Sequence, residues 1–170
     1  MKRSFDIITS LFSLIIMLPF YIIVKVFYSL SSHRRAEKDE YVGKNGDTLT
    51  IPRYEGRASV ILSFWYVMTL VLRGAMSIVG PRLRSVEYVD AMSQICEDYV
   101  DILRVSPGII AESSFYLPSD NTSRRSDIME NDLRYIRCRT FFLDLVIFFD
   151  AVIFFITNRL SWNTTAYTSE

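Results

Sequence analysis

The stretch KRSFDIITSLFSLIIMLPFYIIVKVFYSLSSHRR, residues 2–35, decides how this chain meets its surroundings. Residues 7–24 are eighteen uncharged, mostly apolar residues in a row. A straight helix of that length is about 27 Å long, barely enough to cross a bilayer. Pro19 lies inside the run and predicts a bend or break, because proline removes one helical hydrogen bond and clashes with the preceding turn. The sequence therefore predicts a membrane-anchoring helix that is broken at Pro19.

Cations flank this apolar run on both sides, as Lys2 and Arg3 before it and Lys25, Arg34 and Arg35 after it. Because cytoplasmic flanks tend to be the positive ones, both ends qualify as cytoplasmic. A re-entrant hairpin that dips into one leaflet fits this pattern. A helix that spans the membrane is the alternative, and a cleaved signal peptide is a third interpretation, since MKR resembles an n-region and residues 29–31 a small-residue cleavage site.

Composition supports one membrane-associated domain with an anchor. The chain has 170 residues, half of them hydrophobic, and no net charge. The zero hides an asymmetry: residues 1–85 carry twelve Lys/Arg and six Asp/Glu, whereas residues 86–170 carry seven and thirteen. Apolar segments among cations suit anionic headgroups or phosphorylated ligands, although an ordinary solvated surface is the simpler explanation. We expect no nucleic-acid partner.

Cysteine and histidine usage excludes several chemistries. Cys96 and Cys138 are the only cysteines and His33 is the only histidine. This set has no zinc-ligand spacing, and nothing local supports a Cys-His nucleophile pair.

The middle of the chain predicts short elements. Asn45-Gly46, followed by alternating residues, indicates a β-hairpin within residues 32–57. Residues 59–73 predict an apolar helix too short to span, and residues 83–103 an amphipathic helix with a solvated acidic face. Residues 113–130 read as a loop, rich in Ser, Asn, Asp and Arg.

The last apolar segment, residues 139–159, contains Asp144 and Asp150 and is a poor transmembrane helix. A helix in the membrane interface, or one docked beside the N-terminal hairpin, fits its aromatic spacing, and a soluble core helix is the alternative. The predicted class is mostly α and membrane-associated. It comprises a membrane-anchoring re-entrant helix at 1–31, a domain at 32–160 and a tail at 161–170.

Several short motifs follow one another along the chain between residues 2 and 145. They are Lys2-Arg3-x-Phe5-Asp6, Val42-Gly43-Lys44-x-Gly46 with Thr50-Ile51, Gly74-x-Met76-Ser77-x-Val79-Gly80-Pro81-Arg82, Arg104-x-x-Pro107-Gly108-Ile109, Asp132-x-x-Tyr135-Ile136 and Leu143-Asp144-Leu145. In this order they resemble the bacterial sugar transferase family, the monotopic polyprenyl-phosphate sugar-1-phosphate transferases. The resemblance covers about residues 2–156.

The resemblance implies a protein on the cytoplasmic face of the bacterial inner membrane. Family members move a sugar phosphate from a nucleotide sugar to polyprenyl phosphate, which starts the synthesis of exopolysaccharide, lipopolysaccharide O-antigen, capsule or glycoprotein glycans. In the family mechanism the Asp of an adjacent Asp-Glu pair attacks the sugar diphosphate. Mg²⁺ offsets the phosphate charge.

The sequence departs from the family at this acidic pair. Counting back from Gly74 places Ser63 and Phe64 at the two positions, and no Asp or Glu occurs between Glu55 and Glu87. A serine nucleophile needs a base, and none is near in sequence. We therefore predict no catalytic residue here, and no cofactor unless the protein is active, when Mg²⁺ is expected.

Arginines are the remaining site candidates. Arg82 is the first choice for phosphate binding, since a guanidinium forks onto two phosphate oxygens, and Arg53 and Arg104 rank below it. An interfacial cap of the preceding helix is the alternative role of Arg82.

Two functions from different classes follow. The first is a degenerate family member that binds membrane lipids, polyprenyl phosphate, a nucleotide sugar, an active sugar transferase or a second copy of itself. The second is an active transferase with relocated carboxylates, for example Glu55 or Glu87. A small structural membrane protein with fortuitous motif matches is a third interpretation.

Overall fold

The computed structural model describes residues 1–30, 36–54, 56, 59–95, 97–111 and 124–157. The basic flank at 33–35 and the tail at 161–170 lie outside these ranges. The apolar run forms helix α1 (Lys2–Leu30), the one helix of the described chain that is long and apolar enough to cross a membrane. Only 11% of its most apolar window is buried in the protein, unlike a core helix.

Helix α1 continues through Pro19, so the expected break does not interrupt it. The proline costs one hydrogen bond among those of a 29-residue helix, and long apolar helices tolerate that loss. A bend at Pro19 and a dip into one leaflet stay predictions.

The predicted hairpin is confirmed. Strands β1 (Glu37–Val42) and β2 (Thr48–Arg53) pair antiparallel. Asn45 and Gly46 take the left-handed conformations, φ 59° and 84°, that a tight turn between two such strands needs. The hairpin continues into a three-stranded sheet of order β2-β1-β4, with β4 at Arg84–Ser85.

The apolar helix predicted at 59–73 is also confirmed, as α2 (Ser59–Arg73). Gly74 follows with φ 88°, the left-handed conformation that ends a helix. The chain then enters strand β3 (Ser77–Val79), which pairs parallel with β5 (Gly108–Ile110).

The single helix predicted at 83–103 is wrong, because the chain there forms three elements. Residues 84–85 pair with β1 as β4, and α3 runs from Val86 to Ile95. The Ser85 hydroxyl accepts a hydrogen bond from the Tyr88 amide at 3.3 Å, so it caps α3 and fixes its start. A 3₁₀ helix, Glu97–Arg104, follows.

The loop predicted at 113–130 is wrong from residue 124 onward. Helix α4 (Arg124–Cys138) begins in that polar stretch and continues into residues that pack on the core, such as Tyr135 and Ile136. Burial of its second half supports a helix that local composition does not favour. Helix α5 (Phe141–Thr157) completes the described chain.

The mostly helical, membrane-associated class is confirmed. The main core lies where α1, α2, β3, α4 and α5 meet, and a smaller core lies under α3 and the 3₁₀ helix. Val71 and Val79 are fully buried in the main core, and Tyr99 is fully buried in the smaller one.

Candidate functional site

A buried polar cluster fixes the first turn of α1 to the domain, and we call it the ionic clasp. The Lys2 ammonium lies 2.9 Å from the Asp144 carboxylate and donates to the Val79 carbonyl at 2.8 Å and the Tyr135 hydroxyl at 3.0 Å. Tyr135 donates a short hydrogen bond to Asp144. The ammonium therefore has two hydrogen-bond acceptors and one ion-pair partner, in a site where Asp144 is only 2% exposed. Burial, and then the bond to Asp144, raise the pKa of Tyr135, so the phenol stays neutral.

Asp6 and Arg3 extend this attachment. Asp6 accepts hydrogen bonds from the Ser77 hydroxyl at 2.9 Å and the Ile78 amide at 3.0 Å. The Arg3 guanidinium donates to the last carbonyls of α2, at 2.6 and 2.5 Å, where the helix dipole favours a cation. A Cβ at Gly74 would lie 3.2 Å from that guanidinium. The KRxFD start of the chain thus binds the backbone on both sides of Gly74.

Two glycine motifs meet backbone to backbone. A Cβ on Gly108 would lie 2.1 Å from the Gly80 nitrogen, so no other residue fits. The Gly108 amide donates to the Pro81 carbonyl at 2.9 Å, and Arg82 bridges to Gly108. This close approach fixes the backbone that carries Arg82.

Arg82 lines a small cleft with a cavity volume of about 10 Å³, room for about one water molecule. Arg84 lines it too, with its guanidinium 4.6 Å above the Tyr88 ring and 3.5 Å from Asp132. The Arg84 Nε is buried and has no hydrogen-bond partner among the described residues. The cleft lies between the hairpin, the motif and the 3₁₀ helix, and is lined by Val42, Gly43, Pro81, Arg82, Arg84, Val89, Tyr99, Ile102, Leu103, Val105 and Pro107.

The other two candidate arginines do not line this cleft. Arg53, at the end of β2, lies 2.7 Å from Asp39. Arg104 ends the 3₁₀ helix and lies 3.2 Å from Asp101, with 78% of its side chain exposed. Of the three predicted arginines, Arg82 is the one that lines the cleft, and their phosphate-binding role stays a prediction. Sequence reasoning did not select Arg84, although its place two residues after Arg82 was a usable signal.

Ser63 and Phe64, which the motif resemblance places at the family's acidic pair, lie on α2. Both are half-buried, and Phe64 packs against the main core. Among the described residues, no group of three or more His, Cys, Asp or Glu side chains could share a metal ion. The residues around Ser63 therefore do not fit Mg²⁺.

An aromatic cluster lies beside these two positions. The Trp65 ring stacks on Tyr21 of α1, with centroids 4.2 Å apart and planes 13° apart. Lys25 lies 5.2 Å over the same tyrosine ring, and Tyr28 meets Tyr54 edge to face at 5.6 Å. We call Tyr21, Lys25, Tyr28, Tyr54 and Trp65 the aromatic cluster.

Glu55 and Glu87 are the carboxylates predicted to act if the protein is an active transferase. Glu87 is exposed in the first turn of α3. Glu55 lies outside the described residues.

Comparison with known families places the chain. The model of the family described as bacterial sugar transferase matches residues 67–158, while no curated protein matches. The match starts three residues after Phe64 and includes the Gly74–Arg82 motif, the cleft arginines and both C-terminal partners of the clasp. Since it covers just over half of the 170 residues, this chain belongs to the bacterial sugar transferase family.

Proposed function

We propose that this protein is a non-catalytic member of its family, a binding or partner subunit in surface polysaccharide or glycoconjugate assembly. It acts at the cytoplasmic face of the bacterial inner membrane. One observation carries the proposal: α2 presents Ser63 and Phe64 where family members present an acidic pair, and the sequence has no carboxylate from residue 56 to 86.

Packing supports the same conclusion. Phe64 belongs to the main core and Trp65 stacks on α1, so aromatic contacts occupy the region beside the two positions. A displacement on a diphosphate needs a carboxylate nucleophile and a metal that offsets phosphate charge. Neither serine nor phenylalanine supplies a carboxylate nucleophile. The described residues nearby do not form a set of metal ligands.

Arg82 is the residue we propose for binding the phosphate of polyprenyl phosphate or a nucleotide sugar. Its backbone is fixed by the Gly80–Gly108 contact, and a guanidinium held in this way can fork onto two phosphate oxygens. The arginine would then serve recognition without turnover. Arg53 and Arg104, which do not line the cleft, are weaker candidates.

The contacts of α1 support a re-entrant membrane mode. Arg3 binds the last turn of α2, and Tyr21 stacks on Trp65, seven residues earlier in α2 than Leu72. Both ends of the apolar run therefore contact the same domain, Arg3 before it and Tyr21 near its end. A re-entrant helix requires both ends on one side of the membrane, and the bend at Pro19 is part of this proposal.

The second candidate is an active transferase that uses a relocated carboxylate. Glu87 is exposed, lies five residues after Arg82 and follows the cleft arginine Arg84. In this case the protein would need Mg²⁺.

An activity assay separates the two candidates. The purified full chain is incubated with radiolabelled nucleotide sugars, polyprenyl phosphate and Mg²⁺, beside an active family member as positive control. We expect no labelled lipid. Labelled lipid that disappears in Glu87→Gln or Glu55→Gln would show that the protein is an enzyme.

Binding without turnover is tested in the same samples by equilibrium binding of labelled polyprenyl phosphate and nucleotide sugars. We expect Arg82→Gln to weaken binding about tenfold, as loss of a charge-assisted pair does, and Arg82→Lys to weaken it less. If wild type binds none of these ligands, the remaining role is a protein partner. Co-purification with an active transferase or with a tagged second copy then decides between the two partners.

A further inference from the structure

We propose that three exposed arginines at the first turn of α1 bind the phosphodiester headgroups of anionic phospholipids. They are Arg3, Arg73 and Arg139, and we call them the cationic rim. This inference rests on the membrane attachment in the proposed function and is independent of whether the chain is catalytic.

The three arginines lie next to residues that the clasp and Arg3 bring together, although they are far apart in sequence. Arg3 binds the carbonyls of Val71 and Leu72, directly before Arg73. Arg139 lies in the short link between α4 and α5, four residues after Tyr135 and five before Asp144 of the clasp. The clasp thus brings the chain start, the end of α2 and the α4–α5 junction together.

The rim keeps an excess of positive charge. The clasp offsets the Lys2 ammonium with Asp144, and the nearby Asp6 carboxylate is turned inward onto Ser77 and Ile78. Within the described part of the chain, neither Arg73 nor Arg139 has a carboxylate at ion-pair distance, and both side chains are exposed. Such cations attract anions from outside the protein.

An apolar surface begins directly beside these cations. Phe5 meets Phe141 and Phe148 edge to face at 6.1 and 5.4 Å, so the starts of α1 and α5 lie side by side. Helix α5 buries Asp144, Ile147 and Ala151 on one face. The opposite face and the adjacent start of α1 expose Ile7, Ile8, Phe142, Val146, Phe149 and Ile153.

This order of groups is complementary to a leaflet. Apolar side chains lie next to acyl chains while guanidinium groups one turn away lie at headgroup depth, where each basic residue contributes about 1 kcal/mol near an anionic surface. That amount is about fivefold in affinity per arginine. Phosphatidylglycerol, which carries a net negative charge, is therefore preferred over zwitterionic phosphatidylcholine.

The test measures which lipid the full chain retains. Protein in mild detergent is titrated with phosphatidylglycerol or phosphatidylcholine, and bound lipid is counted by native mass spectrometry. We expect wild type to prefer phosphatidylglycerol at low salt and Arg73→Gln/Arg139→Gln to lose about tenfold or more of that preference. Arg3 is left intact because it also holds α2. Circular dichroism of each variant checks folding.

A matched double variant, Lys38→Gln/Lys44→Gln, removes the same charge from exposed hairpin positions. Equal loss in both double variants would show that net charge alone acts and would overturn the proposal. So would the absence of any preference in wild type. A preference abolished by inorganic phosphate, but not by chloride of equal ionic strength, would assign the rim to free phosphate and overturn it too.

Discussion

The two ends of α1 contact the domain through opposite chemistry. At its start, Lys2, Arg3 and Asp6 enter a buried polar network with β3, α4 and α5. Farther along, Tyr21 contacts Trp65 of α2, and Tyr28 contacts Tyr54 directly after β2, through aromatic rings. Family motifs supply the first contact, whereas the second adjoins the positions where this chain departs from the family.

In this architecture, the residues that attach α1 to the domain differ from the residues at which the family's chemistry is expected. The polar end needs particular residues, because a buried ammonium requires a matched set of acceptors. The aromatic end needs apolar rings of suitable shape and places no charge between the rings in contact. Our proposal of a non-catalytic member therefore requires only that the anchored scaffold forms without an acidic pair beside the aromatic end.

The largest expected loss of stability comes from replacing either member of the Lys2–Asp144 pair at the polar end. Lys2→Met or Asp144→Asn leaves one partner of a buried pair without its counterpart, so each should lower the free energy of unfolding by about 3–5 kcal/mol. Lys2→Met/Asp144→Asn removes both charges and should cost less than the sum of the single variants. Equilibrium unfolding in mild detergent measures these values.

Lys44→Met, at the exposed hairpin turn, is the matched control and should change stability by less than about 0.5 kcal/mol. If the losses in the double variant simply add, Lys2 and Asp144 do not act as a pair, and the comparison fails at its polar end.

The next largest expected loss of stability concerns Ser63 and Phe64, where the sequence differs from the family motif. Phe64→Glu places a carboxylate in apolar packing and should cost about 2–3 kcal/mol, whereas Phe64→Leu should cost about 1. Ser63→Asp, outside that core, should cost less than Phe64→Glu. The same unfolding experiment measures all three. A Phe64→Glu protein as stable as wild type would mean that the position still accommodates an acid.

Sequence patterns predicted the local elements better than the contacts between them. Asn45-Gly46 fixed the hairpin, and the apolar residues at 59–73 fixed α2, because both signals are local. The division at 83–104 was missed, since strand pairing of Arg84 and Ser85 with β1 is a tertiary contact. The start of α4 at Arg124 was missed for a similar reason, because its buried half lies farther along.

The site shows the same limit. The family order identified Lys2, Tyr135 and Asp144 as motif members but gave no reason for their spacing, because the clasp closes over 142 residues of chain. Gly80 and Gly108 were likewise seen as two motifs, whereas their contact explains both glycines at once. Arg82 was selected from its motif, and Arg84 becomes prominent only once the cleft is formed.

A smaller expected effect is the pH dependence of stability that Tyr135 gives to the polar end. Burial raises the pKa of Tyr135 above the ordinary value near 10, so the folded state keeps a phenolic proton that the unfolded state loses. This contribution is fully present below about pH 10. It is lost above that pH by about 1.4 kcal/mol per pH unit. Tyr135→Phe should lower stability at neutral pH and show a shallower alkaline slope. An unchanged slope would indicate that Tyr135 ionises freely.

The smallest effect tests the aromatic end. Stacking of Trp65 on Tyr21 should give a coupling of about 0.5–1.5 kcal/mol in a double-mutant cycle of Tyr21→Leu and Trp65→Leu. Leucine keeps apolar surface, so the cycle isolates ring contact from burial. Phe5→Leu with Trp65→Leu is the matched control, since Phe5 meets α5 instead, and its coupling should be near zero. A Tyr21–Trp65 coupling near zero would mean that shape alone joins α1 to α2. That result would leave the clasp as the specific attachment of the anchor.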